Sequence, residues 1–351
     1  MTALTEPSAG SVASSLRSTR AGWRLPALLV TKAIASGLFM VMALFEMVGP
    51  TKISGMMALY GNGFALVFLV ITEVLMVAKL ERPERLLRIL TRPQWKSWIT
   101  RGAFVLIAFS AVCATWFSLE LGAHFSWWPE SVAAASRLPL AVIGLPLALL
   151  TAIYRAFLFQ QCEGRDLWQS RTMPWLMGVQ AIMAGAAVWL LMVACDGYCD
   201  PQHKWDWLEA WHLWWLLVTF HIALFLDIQF RLLESVFKMP TMNGRQAYAR
   251  LRRGPGRRRW QASMALASLA FLALQAGLLA VLILEHLFDA PLQRLPYNSD
   301  LYRTVVRIYA ALGALTLVVS LLGGPLLALY SLFLYESAII KAGQDGVDPT
   351  W

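Results

Sequence analysis

Apolar runs of about twenty residues recur along the whole chain, near 27–49, 56–79, 102–120, 138–160, 173–194, 210–232, 261–284 and 303–335. At about 1.5 Å of rise per helical residue, a run of that length spans the ~30 Å hydrocarbon layer of a bilayer. With 58% of its 351 residues hydrophobic and only 15% charged, the chain has more apolar surface than one soluble core could hide. In lipid the backbone must satisfy its own hydrogen bonds, which leaves helices or a closed barrel. The short alternating segments of a barrel are absent. The expected fold class is therefore an all-α polytopic membrane protein with eight transmembrane helices. The last run is overlong and carries Gly323-Gly324-Pro325, so a kink or a reentrant stretch is expected there.

The net charge of +9 first suggests nucleic acid, but the bases lie in short segments between apolar runs, where they set membrane topology instead. No nucleic-acid partner is expected; membrane lipid is. With the N-terminus inside, inner segments hold 24 of the 30 Lys and Arg residues, and the outer side keeps only Lys52, Arg137, Lys204, Arg294, Arg303 and Arg307. That asymmetry predicts two cytoplasmic termini. The tryptophans around 127–128 and 205–215 fit an interfacial belt on the outer side. The organisation expected is a cytoplasmic segment over 1–25, spans one to six over 26–235, a basic cytoplasmic loop over 236–260, spans seven and eight over 261–336, and a cytoplasmic tail over 337–351. The first run is too long for a signal-peptide core and reads as an uncleaved span. The basic loop is first a positive-inside loop and second a docking surface for a partner or acidic lipid.

Ionisable side chains inside spans are costly and tend to mark a pathway or ligand site. Lys32, Glu73, Arg155 and Asp227 each fall five or six residues from the inner end of spans one, two, four and six, roughly 8–9 Å into the hydrocarbon by helical rise. Two acids and two bases at one level can neutralise each other. Thr31, Ser36, Ser110, Tyr154, Gln180 and, deeper, His221 could complete a polar pocket in an apolar bundle. Such a pocket suits a quinone, which needs an apolar slot, a donor at each carbonyl and a proton route. The competing reading is that Lys32 and Arg155 snorkel to the headgroups and the acids merely pair with them.

Haem b needs two histidines on facing helices at one depth. Of the five histidines, His212 and His286 make the one conceivable pair, and a haem-free chain is expected. Cys195, Cys199 and His203 invite a metal reading, but Gly197 and Pro201 would break a helical face there and no fourth ligand is evident. A Cys195–Cys199 disulfide and unpaired thiols both remain open. Cys113 and Cys162 read as packing residues. No metal site is expected. Phosphate-cradling loops, nucleophile elbows and zinc-protease helices are missing from the sequence.

Leu80-Glu81-Arg82-Pro83-Glu84-Arg85, followed by Ser97-Trp98-Ile99-Thr100-Arg101-Gly102-Ala103, resembles the L-x-R-P-x-R and S-W-x-x-R/W-G pattern of the NrfD/polysulfide reductase C-subunit family. Glu163 to Ser170 resembles a later loop of that family, and the motif-level likeness covers about residues 25–190. The resemblance implies two four-helix bundles forming a quinone-reactive anchor without haem or metal, in a bacterial inner (cytoplasmic) membrane. It also implies a ferredoxin-like partner subunit with four iron–sulfur clusters and a molybdopterin catalytic subunit. The cofactor it implies is a quinone, either ubiquinone or menaquinone.

The quinone contacts expected are Lys32, Ser36, Tyr154 and Arg155: the resemblance points to Lys32 and Tyr154, and the polar layer adds Ser36 and Arg155. The family's T-N-x-x-H-like stretch is matched by Thr31-Lys32-Ala33-Ile34-Ala35, so Lys32 stands in the Asn position and Ala35 in the His position. Proton transfer is assigned to Glu73, Asp227 and His221, and partner docking to Arg82, Arg85, Arg88, Arg165 and Asp166. Two other functions compete: a secondary transporter or channel using the same charged layer, and a purely structural anchor.

Overall fold

The computed structural model describes residues 23–49, 52–78, 91–161, 170–199, 210–236, 256–294 and 300–344, together with 249, 251, 253 and 254. Its helices are α1 (Arg24–Val48), α2 (Gly55–Val77), α3 (Trp98–His124), α4 (Glu130–Gln160), α5 (Met173–Cys199), α6 (Ala210–Val236), α7 (Arg257–Arg294), α8 (Asp300–Val318) and α9 (Gly324–Gln344). A π-helical turn, Val319–Gly323, joins α8 to α9. No strand occurs among the described residues. Eight helices are long and apolar enough to cross a membrane, which makes this a multi-pass membrane protein.

Helix ends follow local chemistry. Ser54 caps α2 by accepting the Met57 amide at 3.1 Å, satisfying one of the amides a helix start leaves orphaned. Several of the expected runs lengthen: α3, α5 and α6 by about a turn at one or both ends, α4 back to Glu130, and α7 on to Arg294. Polar residues flanking an apolar run can continue a helix outside the lipid, so hydropathy alone underestimates helix length.

The last span is displaced from its expected place. Its apolar stretch is Val319–Ala342 rather than 303–335, because Arg303 and Arg307 belong to the preceding helix α8. The irregularity expected at Gly323–Pro325 is a single widened turn, and the helix runs on through it without a reentrant loop. Pro325 has no amide to donate, so the turn before it loses a regular rung and opens.

Two helices form the centre. The apolar stretches of α1 and α5 are 89% and 78% buried inside the protein, against 28–44% for the other six. They meet backbone to backbone at Gly37 and Gly185: a Cβ on Gly37 would fall 1.8 Å from the Ala181 carbonyl oxygen. Lipid tails are as apolar as leucine, so small residues that let backbones touch are what hold such helices together. Trp189 of α5 adds an indole hydrogen bond to the Leu38 carbonyl at 3.2 Å. Around this pair, α2 and α4 pack on α1, α6 on α5, and α9 on both.

At the end of the bundle where α1 finishes, Arg137 and Glu120 form a buried two-pronged ion pair, with contacts of 2.7 and 3.0 Å. Arg137 also donates to the Ile53 carbonyl at 3.2 Å, while the Ile53 amide donates to Glu46 at 3.2 Å. The α1–α2 connection is thereby tied to α3 and α4. Arg137, expected as a loop base, is only 7% exposed.

Candidate functional site

Nearer the end where α1 begins, the bundle buries a second set of charges. Lys32 is 2% exposed; its ammonium donates to the Ala152 carbonyl at 3.0 Å and stands 4.6 Å from the centre of the Tyr154 ring. Negative π density on the ring face supplies part of the solvation the cation lost on burial. The Tyr154 ring can lie there because residue 102 is glycine: a Cβ at Gly102 would come within 2.4 Å of the ring carbons. Lys32 faces a cavity of about 20 Å³ with Gln180 and Glu336, walled by Leu29, Ala33, Ala152, Met177 and Leu332. That is room for one water or one carbonyl oxygen, not for a ring.

The hydrogen-bonding capacity around this cavity is underused. An ammonium has three donors, and Lys32 engages one acceptor. Glu336, 5% exposed, has no hydrogen bond or ion pair within 4 Å among the described residues. Arg155, one turn along α4 from Ala152, is 9% exposed and its buried Nη1 has no hydrogen-bond partner. Unmet buried donors and acceptors cost roughly 1–3 kcal/mol each, more when charged. Their concentration at one place leaves hydrogen-bonding positions open to a ligand or water.

Gln180 links this cavity to a satisfied network. Its amide donates to Asp227 at 3.1 Å. Asp227 and Arg231, one turn apart on α6 and both without exposed side chain, form an ion pair at 2.6 Å. Arg231 donates to Ser331 at 2.9 Å, which donates to the Ser263 carbonyl at 2.8 Å. The guanidinium also lies 4.4 Å from the centre of the Tyr335 ring. The Tyr335 hydroxyl donates to Glu234 at 2.9 Å, and Thr172 donates to the same carboxylate at 2.9 Å.

Lys32, Tyr154 and Gln180 are thus brought together, with Arg155 beside them and Asp227 one hydrogen bond away. Asp227, however, is neutralised by Arg231 of its own helix and not by Lys32 or Arg155. Ser36 is fully buried but turns its hydroxyl back to the Lys32 carbonyl at 2.9 Å, away from the cavity lining. Thr31 receives a hydrogen bond from Thr72 at 2.9 Å. Glu73, half-buried on α2, makes no hydrogen bond or ion pair among the described residues. His221 lies apart: it meets Gln275 at 2.7 Å and lines a different cavity.

Glu336 was not among the expected residues. The signal existed, since it is an acid within an apolar run, but placing the last span at 303–335 left it one residue outside. Arg231 and Glu234 were hidden in the same way, as charges at an expected helix end.

His212 is buried at the start of α6, its ring 5.8 Å from Phe45 and 5.2 Å from Trp211; the side chain of His286 lies outside the described residues. No group of three or more His, Cys, Asp or Glu gathers among the described residues. Cys195 is exposed on an α5 that continues through Gly197 to Cys199, so that glycine does not break the helix as expected. The side chain of Cys199, together with Cys162, His203, Arg82, Arg85, Arg88, Arg165 and Asp166, lies outside the described residues. Cys113 is fully buried in the core.

A family model described as polysulphide reductase, NrfD, matches residues 26–286. The chain belongs to the NrfD family. The match runs well beyond the stretch in which motifs are legible, through α6 and into α7. A comparison with curated proteins found no match. The NrfD family is associated in general with quinones, and its members generally partner iron–sulfur and molybdopterin oxidoreductase subunits. In this member the first span carries Lys32 and the S-W-x-x-R-G glycine seats Tyr154.

Proposed function

We propose that this chain is the haem-free membrane anchor of a molybdopterin/iron–sulfur oxidoreductase complex, exchanging electrons between a partner's [4Fe–4S] cluster and the membrane quinone pool. The observation that carries the reading is the cavity shared by Lys32, Gln180 and Glu336, part of whose hydrogen-bonding capacity is unmet among the described residues, in a chain of a quinone-associated family. A donor set of ammonium and amide fits a carbonyl oxygen, and a carboxylate beside it fits proton exchange. A bound quinone supplies two-electron, two-proton chemistry; the protein supplies position and proton management.

In this reading Lys32 and Gln180 orient a carbonyl oxygen, with Tyr154 holding Lys32 in place and Arg155 adding positive potential. Ser36 directs its hydroxyl to the Lys32 carbonyl, and turning it toward the cavity would add a further donor for the quinone. Glu73 and Asp227 serve proton transfer, with His221 as a more distant participant. The partner docks from the cytoplasmic side on Arg82, Arg85, Arg88, Arg165 and Asp166, in a bacterial inner membrane with both termini cytoplasmic. The basic stretch over 236–260 faces the same compartment, and the helices divide into two four-helix bundles.

The test is substitution in the assembled complex. Lys32→Met and Glu73→Gln are expected to impair quinone turnover by about tenfold or more, the scale of a lost charged hydrogen bond, while artificial-dye activity stays intact. Unchanged quinone turnover in both variants would remove the site assignment. Purification without iron–sulfur and molybdopterin subunits would remove the anchor role, in favour of a transporter.

A further inference from the structure

A second cavity, of about 300 Å³, lies between α6, α7 and the π turn. It shares no lining residue with the Lys32 cavity, and its size reaches the ~300–1,000 Å³ range of small-molecule pockets. Its walls are Trp214, Leu217, Val218, Ile222, Leu274 and Leu278, with Leu321 and Ser320 from the π turn. Trp214 and Ile222 are 57% and 54% exposed, so one side opens toward lipid. No charged residue lines it, which excludes an ion or a charged headgroup as the buried part of a ligand.

His221 and Ser320 are the polar side chains that line this cavity, and the buried Ser320 hydroxyl has no hydrogen-bond partner among the described residues. His221, at the middle of the apolar stretch of α6, meets Gln275 of α7 at 2.7 Å. Gln275 is itself exposed. In hydrocarbon a glutamine with a free amide proton and a free carbonyl is costly unless a partner arrives. Among the described residues, the contact with His221 uses only one of the amide's hydrogen-bonding positions. The widened turn beside it is a feature enriched at functional sites.

We propose that this cavity binds a neutral, largely apolar molecule taken from the membrane, one of whose carbonyl oxygens is anchored by Ser320 and by His221, which Gln275 holds. The carbonyl belongs either to a quinone ring or to the acyl ester of a glycerolipid. The plain alternative is that the Gln275–His221 pair only fastens α6 to α7, a contact common between transmembrane helices.

The experiment uses the purified full-length chain in detergent, with decylubiquinone and dioleoylglycerol as separate probes. Bound probe is counted by native mass spectrometry, and the melting temperature is recorded alongside. Wild type is expected to bind one of the two probes, which names the source of the carbonyl. Gln275→Leu releases the His221 ring it holds and Leu278→Trp fills the cavity; each is expected to weaken that binding by about tenfold or more. Decylubiquinone lost in Lys32→Met is counted to the site proposed above and only the copy lost in the cavity variants to this one, so the two sites stand or fall separately. Affinity within about twofold of wild type in both cavity variants would overturn the proposal. So would no binding of either probe, or a lowered melting temperature in Gln275→Leu with binding unaltered.

Discussion

The ammonium of Lys32 stands 4.6 Å from the centre of the Tyr154 ring and donates to Ala152, so two neighbouring positions of α4 hold one buried cation of α1. The ring contact is worth about 0.5–2 kcal/mol where the cation is desolvated. Tyr154→Phe keeps the ring and is expected to preserve stability within about 0.5 kcal/mol. Tyr154→Leu is expected to lose at least 1 kcal/mol or so, read as a lower denaturation midpoint of the detergent-solubilised protein. Equal effects of the two substitutions would show that the ring face does not support Lys32.

Gly102→Val tests the seat of that ring. The first added carbon already lies 2.4 Å from Tyr154, so the ring must turn and uncover Lys32. Overpacking of this kind costs about 1–3 kcal/mol. Quinone turnover in the complex is expected to fall with it, whereas Gly323→Val, at a glycine with open space around it, should leave turnover unchanged.

Gly185→Ala is expected to be among the most disruptive single-carbon additions in the chain. Its Cβ would fall 2.0 Å from the Gly37 carbonyl carbon, and backbone cannot rotate away as a side chain can. The two central helices must separate, at a cost of about 3 kcal/mol or more. Yield of folded protein and melting temperature are the measurements, and a fully stable variant would contradict the close α1–α5 contact.

Glu120 and Arg137 form a buried pair at 2.7 Å. Removing Arg137 leaves Glu120 buried without its partner, and removing Glu120 leaves Arg137 only the exposed carboxylate of Glu130 at 3.8 Å, each costing about 3–5 kcal/mol. The double variant Glu120→Leu with Arg137→Met is expected to be more stable than either single variant. A thermodynamic cycle over the four proteins checks this, and additive losses would count against coupling.

Asp227 and Arg231 behave alike in stability but differ in reach, because Asp227 also accepts from Gln180 of the Lys32 cavity. Asp227→Asn is expected to destabilise by roughly 3 kcal/mol or more, as a partner lost from a buried pair. Asp227→Leu with Arg231→Met should restore part of the stability. If proton transfer runs through Asp227, the double variant stays slow in quinone turnover even when folded; full turnover would remove Asp227 from that role.

The number of spans, their approximate positions and the kinship to the NrfD family were legible from order along the chain. Twenty apolar residues in lipid have one way to satisfy their backbone, and motifs such as Ser97 to Ala103 are contiguous. Depth is also nearly linear in sequence, because each helical residue advances the chain by a constant rise. That is why Lys32, Arg155 and Asp227 could be placed at one level before any helix was packed.

Rotation about the helix axis is a different matter, and only the tertiary structure decided it. Side chains at one depth can point inward, sideways or to lipid, and the direction depends on which neighbours each helix finds. Ser36 turned back on its own helix, Glu73 stayed without a partner among the described residues, and His221 faced another cavity. Asp227 took Arg231 because residues four apart on one helix always share a face. Glu336 came to Lys32 only because α9 packs against both α1 and α5, a contact between chain ends that no local pattern encodes.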